Sequence, residues 1–309
     1  MADSSSGRVT KRKRHSRPIE FVIRLVKEKP LGTVGAVITL LFLFTAIFAD
    51  LLAPYGMNEL AGTPLIPPGP RYWLGTDNLG RDMLSRVIFG ARISVVIGLA
   101  APTVAAFISG FIGMTSGYIG GKFDLIVQRF VDAVMCLPTL PVVMVIVTLV
   151  GPGFQTLIIV MGVVGGIRQS RGMRGIILSY KNNMYVEAGK AVGCSTPRIL
   201  TRHLLPNVMP FIITAYTTAV PGVIITEASL SFLGFGIPPP SPSWGGMLSG
   251  PGRTNMFMAP WMAIWPGLAL SIVVYGISMF GDALRDILDP RLRGGLGRYG
   301  VKVKKGAKK

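Results

Sequence analysis

Long stretches of the 309-residue sequence contain no Asp, Glu, Lys or Arg. Among them are residues 30–49, 93–121, 133–167, 203–226 and 254–281. A helix that crosses the hydrocarbon core of a bilayer needs about 20 predominantly apolar residues. The third stretch contains Gly-Pro-Gly at residues 151–153, which breaks helices, so we expect two spans there. The sequence therefore predicts an all-α polytopic membrane protein with six transmembrane helices, at residues 31–53, 93–119, 124–150, 154–177, 208–230 and 260–283.

The positions of the basic residues predict the orientation of these spans. Of the 32 Lys and Arg residues, 27 lie before residue 31, at 122–129, at 168–202 or from residue 285 onward, and five lie in the alternate segments. Cytoplasmic loops carry an excess of Lys and Arg. We therefore expect both termini in the cytoplasm and a lipid bilayer around the spans. The net charge of +18 then reflects topology, and no nucleic acid is expected as a partner.

This topology divides the chain into four regions. Residues 1–30 form a basic cytoplasmic N-terminal tail, and residues 31–91 form the first transmembrane helix and an extracytoplasmic segment. Residues 92–290 form the transmembrane core, which includes a cytoplasmic loop at 184–206. Residues 291–309 form a basic cytoplasmic C-terminal tail, preceded by Pro290, which is predicted to end the last helix.

Three local patterns predict details of the core. Gly113 and Gly117 have the GxxxG spacing that lets two helices approach closely. Prolines at 138 and 141 are predicted to kink the third span. Arg129 and Asp132, three residues apart, are spaced to form an ion pair near the cytoplasmic face.

Residues 184–206 are polar and helix-forming, between two apolar spans. Gly193 is predicted to end a first helix in the left-handed conformation, and Ser195 or Thr196 to cap a second, with Pro197 at its first position. Pro206 is predicted to reset the chain direction before the fifth span. Periodicity alone leaves two interpretations open: an amphipathic loop lying on lipid headgroups, or a docking element for a soluble partner.

The spacing of these residues resembles the EAA loop in permease subunits of binding-protein-dependent ABC importers. The family pattern is E-A-A, three residues, G, nine residues and I-x-L-P, and it is matched here by Glu187, Ala188, Gly193, Leu205 and Pro206. Gly189 replaces the second alanine and His203 replaces the isoleucine. Glycine at 189 costs about 1 kcal/mol of helix propensity relative to alanine.

Residues 74–94, 227–248 and 281–293 are similar to signatures of the second permease subunit of dipeptide, oligopeptide and nickel importers. The resemblance implies the transmembrane-domain fold of type I ABC importers, in a bacterial or archaeal plasma membrane. It also implies four partners: a homologous second permease subunit, two ABC ATPase subunits and an extracytoplasmic solute-binding protein. The sequence has no phosphate-binding G-x-x-x-x-G-K-[ST] loop, so this chain is expected to be no enzyme and to bind no cofactor, with ATP and Mg in the ATPase subunits.

The resemblance assigns three groups of site residues. Docking to an ATPase subunit is assigned to Glu187, Ala188, Gly189, Gly193, Pro197, His203, Leu204, Leu205 and Pro206. A receptor-facing outer segment is assigned to Gly75, Asp77, Gly80, Arg81, Asp82, Ser85, Arg86, Gly234 and Trp244. The glycines of the second group serve equally well as turn residues, and Trp244 as an interfacial anchor. Glu227 is expected either to line the translocation path or to bind a neighbouring backbone group.

These patterns predict a permease subunit that forms half of an ATP-driven path for peptides, with nickel chelates or oligosaccharides as alternative solutes. An ion-coupled secondary transporter typically has ionisable groups at the midplane and an internal repeat, neither of which the sequence shows. A membrane hydrolase needs a nucleophile and base, but the two histidines lie in the basic tail and in the 184–206 loop. A channel is not indicated, because no filter-like motif occurs.

Overall fold

The computed structural model describes residues 17–288, in which all regular elements are helices apart from two isolated β-bridges. A π-helical turn, Ile199–Leu204, joins α9 to α10. The helices are α1 Arg17–Glu28, α2 Pro30–Ile47, α3 Ala49–Leu52, α4 Met83–Ile119, α5 Gly121–Cys136, α6 Thr139–Val150, α7 Phe154–Tyr180, α8 Met184–Ala191, α9 Thr196–Arg198, α10 Leu205–Phe232, α11 Trp244–Leu248, α12 Gly250–Thr254 and α13 Trp261–Leu288. The predictions for residues 1–16 of the N-terminal tail, for Pro290 and for the whole C-terminal tail lie outside the described residues.

Within residues 17–288, four helices are long and apolar enough to cross a membrane: α2, α4, the continuous helix Thr196–Phe232, and α13. Helices α5 and α6 are apolar enough when taken together, but they are bent by 92° at a short break. They make a fifth span if both helices belong to one span. The kink predicted there lies at Leu137 and Pro138, whose backbones are extended. A proline disfavours helical backbone at the preceding residue, which accounts for the end of α5. The all-helical membrane class is thus confirmed.

Helix α4 begins ten residues before the predicted start of the second span, so that boundary was wrong. Asp82 is its N-cap and accepts hydrogen bonds from the Ser85 backbone N–H and hydroxyl, both at 2.7 Å. An N-cap carboxylate satisfies donors that the first turn otherwise leaves unpaired. Ser85 and Arg86 are buried in protein, so this polar stretch is part of a helix and not a loop.

Helices α4 and α7 pack closely through glycines. A Cβ atom at Gly113 would lie 2.6 Å from the Ser170 carbonyl oxygen, and one at Gly117 would lie 3.1 Å from that of Arg174. Glycines of α7 are packed against α4 in the same way: a Cβ at Gly166 would lie 2.9 Å from the Ala105 carbonyl. Side chains larger than hydrogen do not fit at this separation, so the close approach predicted from the GxxxG spacing is confirmed.

The three arginines of α7 are bound by α5. Arg174 forms a bidentate ion pair with Asp124, at 2.6 and 2.5 Å. Arg171 lies 2.6 Å from Asp132, and Arg168 donates to backbone carbonyls at the end of α5, including that of Leu137 at 3.1 Å. The predicted pair between positions 129 and 132 was therefore wrong, because the carboxylate at 132 turns toward α7. Carboxylates of α5 thus neutralise the charges of Arg171 and Arg174 on α7.

Helix α4 is 37 residues long and spans about 55 Å, so it reaches from one end of the bundle to the other. At one, the coupling end, Met114 of α4 packs with residues of the 184–206 loop. At the other, the far end, Met83 packs with Ala259 and Met262. Residues 53–82 and 233–260 form a cap over the far end. Between the ends, α10 packs against α4 and α13 through a core that includes Val220, Ile224 and Ile277.

Candidate docking site

The coupling segment, residues 184–206, consists of α8, a tight turn and the start of the long helix that continues into α10. Gly193 has a φ of +75°, the left-handed conformation predicted from the sequence. Its N–H donates to the Lys190 carbonyl at 3.0 Å, and the Cys194 N–H donates to the Gly189 carbonyl at 3.0 Å. These two bonds are the Schellman motif that satisfies carbonyls at a helix C-terminus. The first helix and its glycine stop are confirmed.

The second helix differs from prediction at both ends. Ser195 occupies the N-cap position, but its side chain makes no capping hydrogen bond, and Pro197 is the second helical residue. Pro206 does not redirect the chain: it lies in the first turn of α10, and the helix runs unbroken from Thr196 to Phe232. The π-helical turn accommodates the proline, because the Leu205 N–H donates to Leu200 five residues earlier. The coupling segment is thus rigidly continuous with a spanning helix.

The inward face of the coupling segment packs on α4 and α7. Val186, Ile199 and Leu204 are buried in a cluster with Met173 and Ile177 of α7. Leu204 was predicted to pack against an ATPase subunit, but it is fully buried within this chain. Its register on the π-helical turn points it into the bundle, so that part of the prediction was wrong. Leu205 is half-buried at the edge of the same cluster.

The outward face of the segment carries most of the residues assigned to docking. The exposed ones are Glu187, Ala188, Gly193, Pro197 and Pro206. Two large apolar side chains that sequence reasoning missed lie among them: Met184 is 86% exposed and Val192 is 81% exposed. They lie at the two ends of α8. Their exposure could have been predicted, because neither lies on the apolar face of the helix that contains Val186. An exposed apolar pair beside a carboxylate suits a protein partner better than water.

Gly189 and His203 lie between the two faces. Gly189 is buried in α8, and a Cβ atom there would lie 3.8 Å from the His203 ring and 4.0 Å from Ile199. Those are ordinary van der Waals distances, so the segment has room for the alanine of the family pattern. The His203 ring is half-buried and fills this position from the second helix. Lys190 adds a further contact, with its ammonium 5.5 Å from the centre of the Tyr118 ring of α4.

The residues assigned to a receptor-facing segment hold the far-end cap together. Asp77 accepts from the Leu79 and Arg81 N–H groups at 2.8 and 3.0 Å and pairs with the Arg81 side chain at 2.7 Å. Gly75 and Gly80 are buried turn residues with φ near +80°. With Asp82, Ser85 and Arg86 also buried, these side chains organise the cap and do not form its surface. Contact of the cap with a receptor stays a prediction.

Trp244 is buried as well, and its Nε1–H donates to the Val87 carbonyl at 3.0 Å. Its ring lies 5.7 Å from that of Phe42, inside the bundle, so the interfacial-anchor interpretation was wrong. Gly234 is exposed in the turn that follows α10. There, the Phe235 N–H donates to the Leu230 carbonyl at 2.8 Å.

Glu227 is fully buried near the far end of α10. Its Oε1 accepts from the Ser231 hydroxyl at 2.7 Å, and its Oε2 has no hydrogen-bond partner among the described residues. Neighbouring backbone is packed tightly, since a Cβ on Gly245 would lie 2.1 Å from the Ala228 carbonyl oxygen. The carboxylate is enclosed by its own chain, which supports the structural role, and lining of a path stays a prediction.

The chain is thus a helical membrane bundle with a folded loop fixed to a spanning helix. This chain belongs to the family of binding-protein-dependent transport system inner membrane components, which matches residues 109–294. The family inferred from the sequence is thus confirmed, and the chain is a membrane component and not itself an enzyme.

Its relatives include the oligopeptide transport system permease protein OppC of Bacillus subtilis (strain 168), 39% identical over 86% of this chain and 88% of that one. The dipeptide transport system permease protein DppC of the same organism is 38% identical over 87% and 85%. The glutathione transport system permease protein GsiD of Escherichia coli O6:K15:H31 is 34% identical over 88% and 90%. A chain of the inward-facing MetNI methionine ABC transporter shares the fold, with a TM-score of 0.54 at 16% identity over 67% of this chain and 98% of that chain.

Proposed function

We propose that this chain is the permease subunit of an ATP-driven ABC importer and forms half of the translocation path for peptides. The observation that carries the proposal is that relatives named for oligopeptide, dipeptide and glutathione transport match at least 85% of their own length at 34–39% identity. An extracytoplasmic solute-binding protein delivers the solute, and a homologous second permease forms the other half of the path. The bacterial or archaeal plasma membrane is the site of action.

The proposed topology has six spans, with α7 as the fourth and the α5–α6 pair as the third. The ion pairs from α5 to Arg171 and Arg174 support this assignment, because paired charges are tolerated inside a helical bundle. Both termini and the coupling end lie in the cytoplasm, following the excess of basic residues there. The far-end cap then faces outward, where Leu60 and Trp73, both 71% exposed, are available to a receptor.

The coupling segment docks in a groove of an ATPase subunit, and that subunit binds ATP and Mg. Glu187, Met184 and Val192 form the contact surface, and Gly193 sets the angle between the two helices. Closure of the ATPase subunits on ATP shifts the segment and, through the unbroken helix, moves α10. The buried cluster around Leu204 supports this transmission, because closely packed side chains make the coupling segment move together with α4 and α7.

Uptake measurements test the transport proposal. Cells that express the transporter are expected to accumulate a labelled dipeptide, and deletion of either partner ATPase gene is expected to abolish uptake. Labelled nickel chelates and oligosaccharides serve as alternative solutes. Dipeptide uptake that persists without the ATPase genes, driven by an ion gradient, would identify a secondary transporter.

Two variants test the docking surface. Glu187→Lys reverses the charge of the contact, and Gly193→Val places a β-branched residue at a φ of +75°. Both variants are expected to insert into the membrane at normal levels but to co-purify with less ATPase and transport less. Arg253→Lys, an exposed change on α12 in the far-end cap, is the control. Normal uptake by both variants contradicts the docking assignment.

A further inference from the structure

A cavity of about 510 Å³ lies at the far end, between the start of α4 and the chain that follows α10. Its polar lining includes Asp77, Arg81, Arg86, Ser231 and Ser243. The rest of the wall is largely apolar and includes Ile237, Pro238, Met247 and Met262. Cavities of about 300–1,000 Å³ with apolar walls and a few convergent polar groups are typical of small-molecule sites.

The charged groups that line this cavity leave one positive charge in excess. Both guanidinium groups share one carboxylate oxygen: Arg81 Nε is 2.7 Å from Asp77 Oδ2, and Arg86 Nε is 3.5 Å from the same atom. The other oxygen, Oδ1, is already bound by two backbone N–H groups. The Asp77 carboxylate therefore pairs with two arginines, and its shorter contact is with Arg81.

Arg86 is only 7% exposed, yet its guanidinium has spare donors. Its other bonds, from Nη1 to the Met57 and Pro240 carbonyls, are long, at 3.4 and 3.5 Å. With its amide nitrogen turned toward the same two carbonyls, Asn58 donates to them at 3.2 and 2.9 Å, which are normal hydrogen-bond lengths. Those carbonyls are thus satisfied without Arg86, which presents a buried fork of N–H groups.

We propose that this cavity binds the C-terminal carboxylate of a peptide solute, with Arg86 as the bidentate partner and Arg81 as the second positive charge. A guanidinium fork matches a carboxylate in geometry and charge. The apolar wall accommodates the side chains of a short peptide. The arginines lie within a cavity and not on a flat face, so a small solute suits them better than an acidic side chain of a receptor. The inference rests on the proposed transport of peptides and adds a specific contact.

The test uses the complete transporter in nanodiscs without receptor, and measures equilibrium binding of dialanine, dialanine C-terminal amide and acetate. Dialanine is expected to bind at least about tenfold more tightly than the amide, because the amide lacks the charge-assisted hydrogen bonds. Arg86→Gln is expected to weaken dialanine binding about tenfold and to leave binding of the amide unchanged. Arg86→Lys should retain part of the affinity, since it keeps the charge and loses the fork. Arg92→Gln, which alters an exposed pair with Asp50 on the same helix, should bind dialanine normally.

Ser241→Phe fills the cavity without altering its charges, and it decides the outcome if Arg86→Gln fails to fold. It is expected to abolish dialanine binding. Equal binding of peptide and amide, or unchanged binding by Arg86→Gln and Ser241→Phe, overturns the inference. Acetate binding as tight as that of dialanine also overturns the inference. Uptake by the wild-type transporter with its receptor is measured in parallel, so that failure of peptide transport is seen separately.

Discussion

The coupling segment contains two glycines for which replacement by alanine should have opposite effects. Gly189 lies inside α8, so alanine gains about 1 kcal/mol of helix propensity. The added methyl group is buried at 3.8 Å from His203 without a clash, and it contributes at most about 0.8 kcal/mol more. Gly193 has a φ of +75° with no atom within 4 Å of a Cβ, so alanine there costs about 1–2 kcal/mol of backbone strain alone.

Hydrogen exchange measured by mass spectrometry on the purified transporter resolves these effects locally. A change of 1.36 kcal/mol is a factor of ten in an opening equilibrium. Amides of residues 188–194 are therefore expected to exchange about tenfold more slowly in Gly189→Ala and about five- to thirtyfold faster in Gly193→Ala. Gly175→Ala, at an open position in α7, controls for helix propensity without contact. Changes of the same sign in both variants would refute the assignment of the two conformations.

Three further changes test packing through thermal unfolding in detergent. Asp124→Asn leaves Arg174 without its bidentate partner and should cost about 3–5 kcal/mol, whereas Asp132→Asn, whose pair is more exposed, should cost less than about 1 kcal/mol; equal losses would contradict the difference in burial. Trp244→Ala should destabilise by about 3–5 kcal/mol, and an unchanged midpoint would show that the ring is not buried. Gly113→Leu should prevent α4 from packing on α7 and abolish recovery of folded protein, and normal yields would contradict the close approach.

Much of the bundle was predictable, because the charge-free stretches that a bilayer requires coincide with α2, α10 and α13. The start of α4 was not, since its first turns contain Arg86 and Arg92, which are unusual in a span. Only tertiary contacts show that one of them is buried beside Asp77 and the other pairs with Asp50 at the surface. Single-sequence patterns do not indicate which distant carboxylate an arginine will meet.

The backbone of the coupling segment was predictable where a local rule applies. The stop at Gly193 follows from its own backbone. The fate of Pro206 depends on a π-helical turn, which shifts the register of hydrogen bonds by one residue. That same shift decides that Leu204 points inward, so its assignment to a partner surface was wrong for the same physical reason. Met184 and Val192 were missed because their apolar side chains suggest burial, although neither lies on the face of α8 that contains Val186.

The helix Thr196–Phe232 contains 37 residues without a break and is therefore about 55 Å long. Such a rod pivots where it packs against α4 and α13, and a tilt of about 5° about its midpoint moves its two tips by about 2 Å in opposite directions. A hinge at Pro206 would have dissipated that motion at the membrane surface. By absorbing the proline within a widened turn, the chain keeps the helix continuous, so that in the proposed mechanism a small push at one face of the bilayer becomes a displacement of atomic dimensions at the other.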